Sequence, residues 1–196
     1  MLWTKNVDEI AKSLLSLTAT DGDGKPLNIE AAFALWIDWT VQIREGKRTV
    51  FLIGNGASAS MASHVAADLA KNAHVHTEVF TDLALITAIA NDMSFQEIFS
   101  EPLKRRLVPG DMVVAISSSG RSANILQAAQ TTRKLGGKVV TLSAMNSENP
   151  LRRLGDLNFY IPVQTYGMAE TCHAAILHYW IDKIVSENSI LLQDTK

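Results

Sequence analysis

The 196-residue chain is short of several things, and each shortage excludes a class of protein. A single cysteine, Cys172, rules out an internal disulfide framework and a multi-cysteine zinc module, and fits a reducing compartment. Neither sign of charge is in excess: 18 basic residues face 20 acidic ones, and no basic run exceeds a pair such as Arg105–Arg106. Direct nucleic-acid binding, which needs clustered cations, is therefore not expected. Long apolar runs are missing too. Met112 to Ile116 is typical, against the ~20 residues that span a bilayer. The first ten residues, Met1 to Ile10, are broken by charges and do not read as a signal peptide. No Gly-Lys-Ser/Thr occurs, which removes a Walker phosphate loop. The expectation is a cytoplasmic protein with no membrane partner.

What is present is a pattern. The chain is 47% hydrophobic, enough for one generous core. Val7, Ile10, Leu14 and Leu15 recur at helical spacing, as do Ala32, Leu35, Trp36, Trp39 and Ile43. Between them Thr20-Asp-Gly-Asp-Gly-Lys-Pro26 reads as a turn-rich connector; Lys25 and the lack of a closing glutamate spoil a calcium loop. After Lys47 the period changes. Short apolar runs at Thr49–Ile53, Thr77–Phe80, Met112–Ile116, Lys138–Leu142 and Asn158–Ile161 alternate with helical stretches near 58–72, 122–135 and 169–186. This predicts a three-layer α/β sandwich around a five-stranded parallel sheet. The predicted layout is an N-terminal helical segment, 1–47, belonging to the same unit as an α/β domain, 48–190.

Two strand-to-helix junctions carry chemistry: Gly54-Asn-Gly-Ala-Ser58 and Ser117-Ser-Ser-Gly-Arg-Ser122. In open parallel sheets ligands bind beyond the carboxyl ends of strands, where both would lie. Hydroxyls and free amides at a helix start suit a phosphate monoester. A plain turn is the alternative for the first loop, and a dinucleotide fingerprint fails for want of a third glycine. On the helices, His64 and Asp68 lie four apart on one face, and Glu170 and His178 lie eight apart, so they can border one cleft while His173 leans away. Such a set can hold a divalent metal, serve as general base and acid, or form ordinary surface hydrogen bonds. Cys172 reads as a core residue, and the four tryptophans, Trp3, Trp36, Trp39 and Trp180, as packing a core or a subunit interface.

The motifs Phe51-Leu-Ile-Gly-Asn-Gly-Ala-Ser58, Ala90-Asn-Asp-Met-Ser-Phe95 and Ala115-Ile-Ser-Ser-Ser-Gly-Arg-Ser-Ala-Asn124 resemble the sugar isomerase (SIS) domain, and within it the phosphoheptose isomerases. The likeness runs from about residue 32 to 185. It implies a flavodoxin-like fold and the interconversion of sedoheptulose 7-phosphate and D-glycero-D-manno-heptose 7-phosphate. It also implies a divalent ion, Zn2+ in many members, and a homotetramer with sites between subunits. Ser117, Ser118, Ser119 and Ser122 would hold the phosphate, with Asn55, Gly56, Ser58 and Asp92 contacting substrate. His64, Asp68, Glu170 and His178 would ligate the metal, Asp68 and His178 also being catalytic. Two positions depart from the family pattern: Asp68 replaces a glutamate and Glu170 a glutamine. A non-catalytic regulator or scaffold that binds phosphosugars is the rival expectation.

Overall fold

The computed structural model describes residues 2–193, with side chains to residue 186. The expected alternation is present. Strands Thr49–Gly54, His76–Val79, Met112–Ser117, Lys138–Ala144 and Leu157–Ile161 are parallel neighbours, linked through helices Ala57–Ala73, Leu83–Asp92, Ser100–Arg106 and Ala123–Lys134. Every residue of Met112–Ser117 and Leu157–Ile161 is buried, as strands covered on both faces require.

The sheet, however, has seven strands rather than five. Thr18–Asp21 (β1) and Pro26–Leu27 (β2) form a hairpin whose first strand runs antiparallel to Leu157–Ile161. The expected connector is the tip of that hairpin. The Asp21 carboxylate accepts the backbone N–H groups of Asp23 and Lys25, each at 2.9 Å, an Asx-type reversal that turns the chain back on itself. Flanks of four and two residues are too short to show a period of two in the sequence.

Numbered in chain order, the five parallel strands are β3 to β7 and stand as β4-β3-β5-β6-β7, with β1 and β2 outside β7. The crossovers from β3 and β5 depart to opposite faces. Helices α1 (Trp3–Leu15), α2 (Ile29–Glu45), α3 (Ala57–Ala73) and α7 (Tyr166–Gln193) lie on one side; α4 (Leu83–Asp92), α5 (Ser100–Arg106) and α6 (Ala123–Lys134) cover the other. A crevice therefore opens between the carboxyl ends of β3 and β5, the switch point at which flavodoxin-like sheets bind ligands.

Helix α2 is part of this core. Trp36 stacks on Trp180 of α7 at 4.1 Å and 13° and packs against Phe159 of β7. The Trp180 indole donates to Thr40 Oγ1 at 3.1 Å, while that hydroxyl donates to the Trp36 carbonyl at 2.8 Å. Trp3 lies outside this core and is exposed on α1. Among the described residues no helix is long and apolar enough to cross a membrane.

Candidate active site

At the switch point Asn55, Ser58, Ile116, Ser117, Ser118, Ser119, Ser122, Tyr166 and Glu170 line a cleft of about 170 Å³. That far exceeds the ~10–15 Å³ needed for one water. No lysine or arginine is among these lining residues. An anion here would depend on hydroxyls, backbone amides and the N-terminus of α6, whose Ncap is Ser122.

The loop geometry follows from close contacts. A Cβ at Gly54 would lie 2.6 Å from the Ser58 backbone, so only glycine lets the first loop fold this tightly onto α3. Gly120, at φ +61°, would drive a Cβ to 2.0 Å from Asn149 Oδ1. Asn149 is fully buried and donates to Ser143 Oγ and the Asn146 carbonyl, so it has nowhere to go. The serine loop is tied further by the Ala144 N–H donating to the Ser118 carbonyl at 2.9 Å, and the Leu151 N–H to that of Gly120. Ser117 Oγ and Ser122 Oγ stand 3.4 Å apart, so both face one space.

Six residues along α3 from Ser58, roughly 9 Å of helix rise, stands a second group. His64, Asp68 and His178 each offer a ligand atom within 4.8 Å of the others. His64 Nε2 lies 3.4 Å from Asp68 Oδ2, and the two imidazole rings are 5.3 Å apart at 59°. Both histidines are exposed and Asp68 is half-buried. Two imidazoles and a carboxylate converging on one point form the donor set of a divalent-metal site with open positions, so these residues fit such an ion.

Not every expected residue joins these groups. Glu170 does not come within that distance of all three triad members and instead lines the serine cleft, two turns back along α7. Asp92 ends α4 outside the cleft, exposed, its carboxylate accepting the Asn91 amide at 2.8 Å. Gly56 caps the start of α3 just beside the cleft. The reading of His173 holds: it leans away and is completely buried. Burial drives its pKa down to about 4, with the Ser143 backbone pulling the other way, and neither ring nitrogen makes a well-formed hydrogen bond. It is a neutral packing residue. Cys172 is buried as well, and burial pushes its thiol pKa up, away from the reactive thiolate.

Three contributors escaped the sequence reading. Tyr166 lines the cleft from the first turn of α7, Asn149 props the serine loop, and Asn124 reaches across to Asn55. Only the placement of Asn124 directly after the serine loop hinted at any of them.

With this sheet order and a serine loop at the switch point, the chain belongs to the SIS domain family, which matches residues 10–144. Within that family it is similar to phosphoheptose isomerases. It is 35% identical over 168 residues to that of Chlorobaculum parvum, covering 81% of this chain and 78% of the relative. It is 32% identical to that of Coxiella burnetii over 79% of this chain and 85% of the relative. The solved phosphoheptose isomerase of Neisseria gonorrhoeae shares the fold, with a TM-score of 0.79 at 22% identity over 92% of this chain and 96% of that one.

Proposed function

We propose that the chain isomerises a phosphorylated sugar, interconverting sedoheptulose 7-phosphate and D-glycero-D-manno-heptose 7-phosphate, a reading supported by its likeness to proteins named phosphoheptose isomerase. One observation carries this reading. The serine cleft and the His64–Asp68–His178 triad lie about two helical turns apart along α3 and α7. A ligand that engages both must be long, with its phosphate at the opposite end of a sugar chain from its carbonyl.

Each residue then has a task. The serine hydroxyls and the start of α6 hold the phosphate, and this remote binding energy orients the reacting carbons. Asp68 takes a proton from the carbon beside the carbonyl, leaving an enediolate that becomes the enediol when its oxygen is protonated, and then returns the proton to the former carbonyl carbon. His178 moves protons between the two oxygens of that enediol. Asp68 has two carboxylate oxygens and His178 two ring nitrogens, so each can ligate through one atom and work through the other. A divalent ion held by His64, Asp68 and His178 would supply Lewis-acid polarisation of the carbonyl.

In the same reading the ion is Zn2+, which suits two imidazoles and a carboxylate. The protein acts in the cytoplasm as a homotetramer with sites between subunits. Exposed Trp3, Val7 and Leu15 on α1, and Leu83 with Met93 and Phe95 about α4, are the apolar surface such an assembly would cover. The N-terminal helices and the α/β domain form one unit through the Trp36–Trp180 stack. The deciding assay follows aldose formation from sedoheptulose 7-phosphate with added zinc. Turnover that disappears with a chelator and returns with metal supports the proposal. Tight phosphosugar binding with neither metal uptake nor turnover would instead make the chain a sensor.

A further inference from the structure

A reciprocal side-chain pair links the 54–58 loop to the first turn of α6, directly behind the serine loop. Asn55 Nδ2 donates to Asn124 Oδ1 at 3.0 Å, and Asn124 Nδ2 donates back to Asn55 Oδ1 at 2.9 Å. Asn124 Oδ1 also accepts the Ile125 N–H at 3.0 Å, fixing the amide at the first turn of α6. Asn124 is 3% exposed and does not line the cleft, whereas Asn55 does.

The position of this pair gives it meaning. At the switch point α3 and α6 leave on opposite faces of the sheet, so neither helix can brace the other. Asn55 follows β3 and Asn124 opens α6 after β5, so their paired amides bridge the two strand-to-helix junctions. The pair also occupies the carboxamide of Asn55. Its oxygen accepts from Asn124 and one of its N–H bonds is given away, so the side chain is committed to the neighbouring loop. Its second N–H and a remaining lone pair of the oxygen stay available to a ligand in the cleft that Asn55 lines.

We propose that Asn124 is a positioning residue for the phosphosugar site: by pairing reciprocally with Asn55 it locks the 54–58 loop and the serine loop into one phosphate cradle. The inference rests on the isomerase reading only for its kinetic readout. Inorganic phosphate serves as a probe that needs no turnover. Its affinity is read from the phosphate-dependent rise in melting temperature of the intact protein.

Asn124→Asp keeps the shape, the Asn55 donor and the Ile125 bond, but loses the reverse bond and sets two oxygens face to face. It should remain folded and bind inorganic phosphate about 10-fold more weakly. The Michaelis constant for sedoheptulose 7-phosphate should rise by a similar factor with kcat little changed, since the phosphate lies far from the reacting carbons. In a cycle of Asn55→Ala, Asn124→Ala and the double variant, the double should bind phosphate no worse than either single. A folded Asn124→Asp protein with wild-type phosphate affinity would overturn the proposal, as would losses that multiply in the double variant. A wild-type protein that binds phosphate but never isomerises the sugar sinks the isomerase reading alone, because the phosphate titration still decides the clamp.

Discussion

In the serine cleft, Ser58, Ser117 and Ser118 are each only 5% exposed, and the loops that carry them are braced by Asn124 and Asn149. Eight residues farther along α7, His178 stands exposed beside His64, whose side chain is 59% exposed. One end of the candidate site is set in the single chain by buried hydrogen bonds; the other is a set of side chains projecting from two helices. The contrast separates two requirements of catalysis. Holding a phosphate needs fixed donors, whereas moving protons and ligating an ion need groups that can be approached.

Substitutions at each end should therefore fail differently. The largest effect is expected at Asp68. Asp68→Asn should lower turnover by about 10³-fold while leaving phosphate affinity intact. Equal turnover would show that the base lies elsewhere. His178→Ala should cost about 10²-fold or more and also reduce bound metal, measured by elemental analysis of the purified protein. A variant that kept full metal would dissolve the triad as a ligand set.

At the buried end the pattern reverses. Gly120→Ala, blocked by Asn149 and by its positive φ, should raise the Michaelis constant about 10-fold and lower the melting temperature, with metal content unchanged. A normal Michaelis constant would mean the loop tolerates displacement.

The subtlest effect is on stability alone and leaves both ends of the site untouched. His173 has a folded pKa of about 4 against an ordinary 6.5, so the unfolded chain takes up the proton first as pH falls. Stability from this residue is complete above about pH 6.5 and declines toward pH 4, by up to about 3 kcal/mol. His173→Leu should flatten that decline in urea titrations between pH 7 and pH 4. An unchanged slope would place the acid sensitivity elsewhere.

The parallel strands and the helices around them were legible in the sequence because buried strands and amphipathic helices carry their own periods. The serine loop was legible because hydroxyls and glycines crowd between a strand and a helix. The β1–β2 hairpin was not: its strands are shorter than the period that would announce them. Asn124 and Asn149 stayed hidden for another reason. A buried asparagine looks like a surface one until its partners are known, and those partners lie 69 and 6 residues away. Glu170 illustrates the limit of helical arithmetic. Eight residues of spacing put it on the same side of α7 as His178 but two turns away, at the cleft rather than in the triad.

The hairpin has one further consequence. Without it β7, whose five residues are all buried, would present a bare row of backbone donors and acceptors at the border of the sheet. With it, the border becomes a two-residue strand that begins with Pro26 and follows a turn of two glycines, an aspartate and a lysine. A strand that short, and a residue without an N–H, give an approaching chain little to pair with. The same few residues that lengthen the sheet also make this border a poor template for another chain.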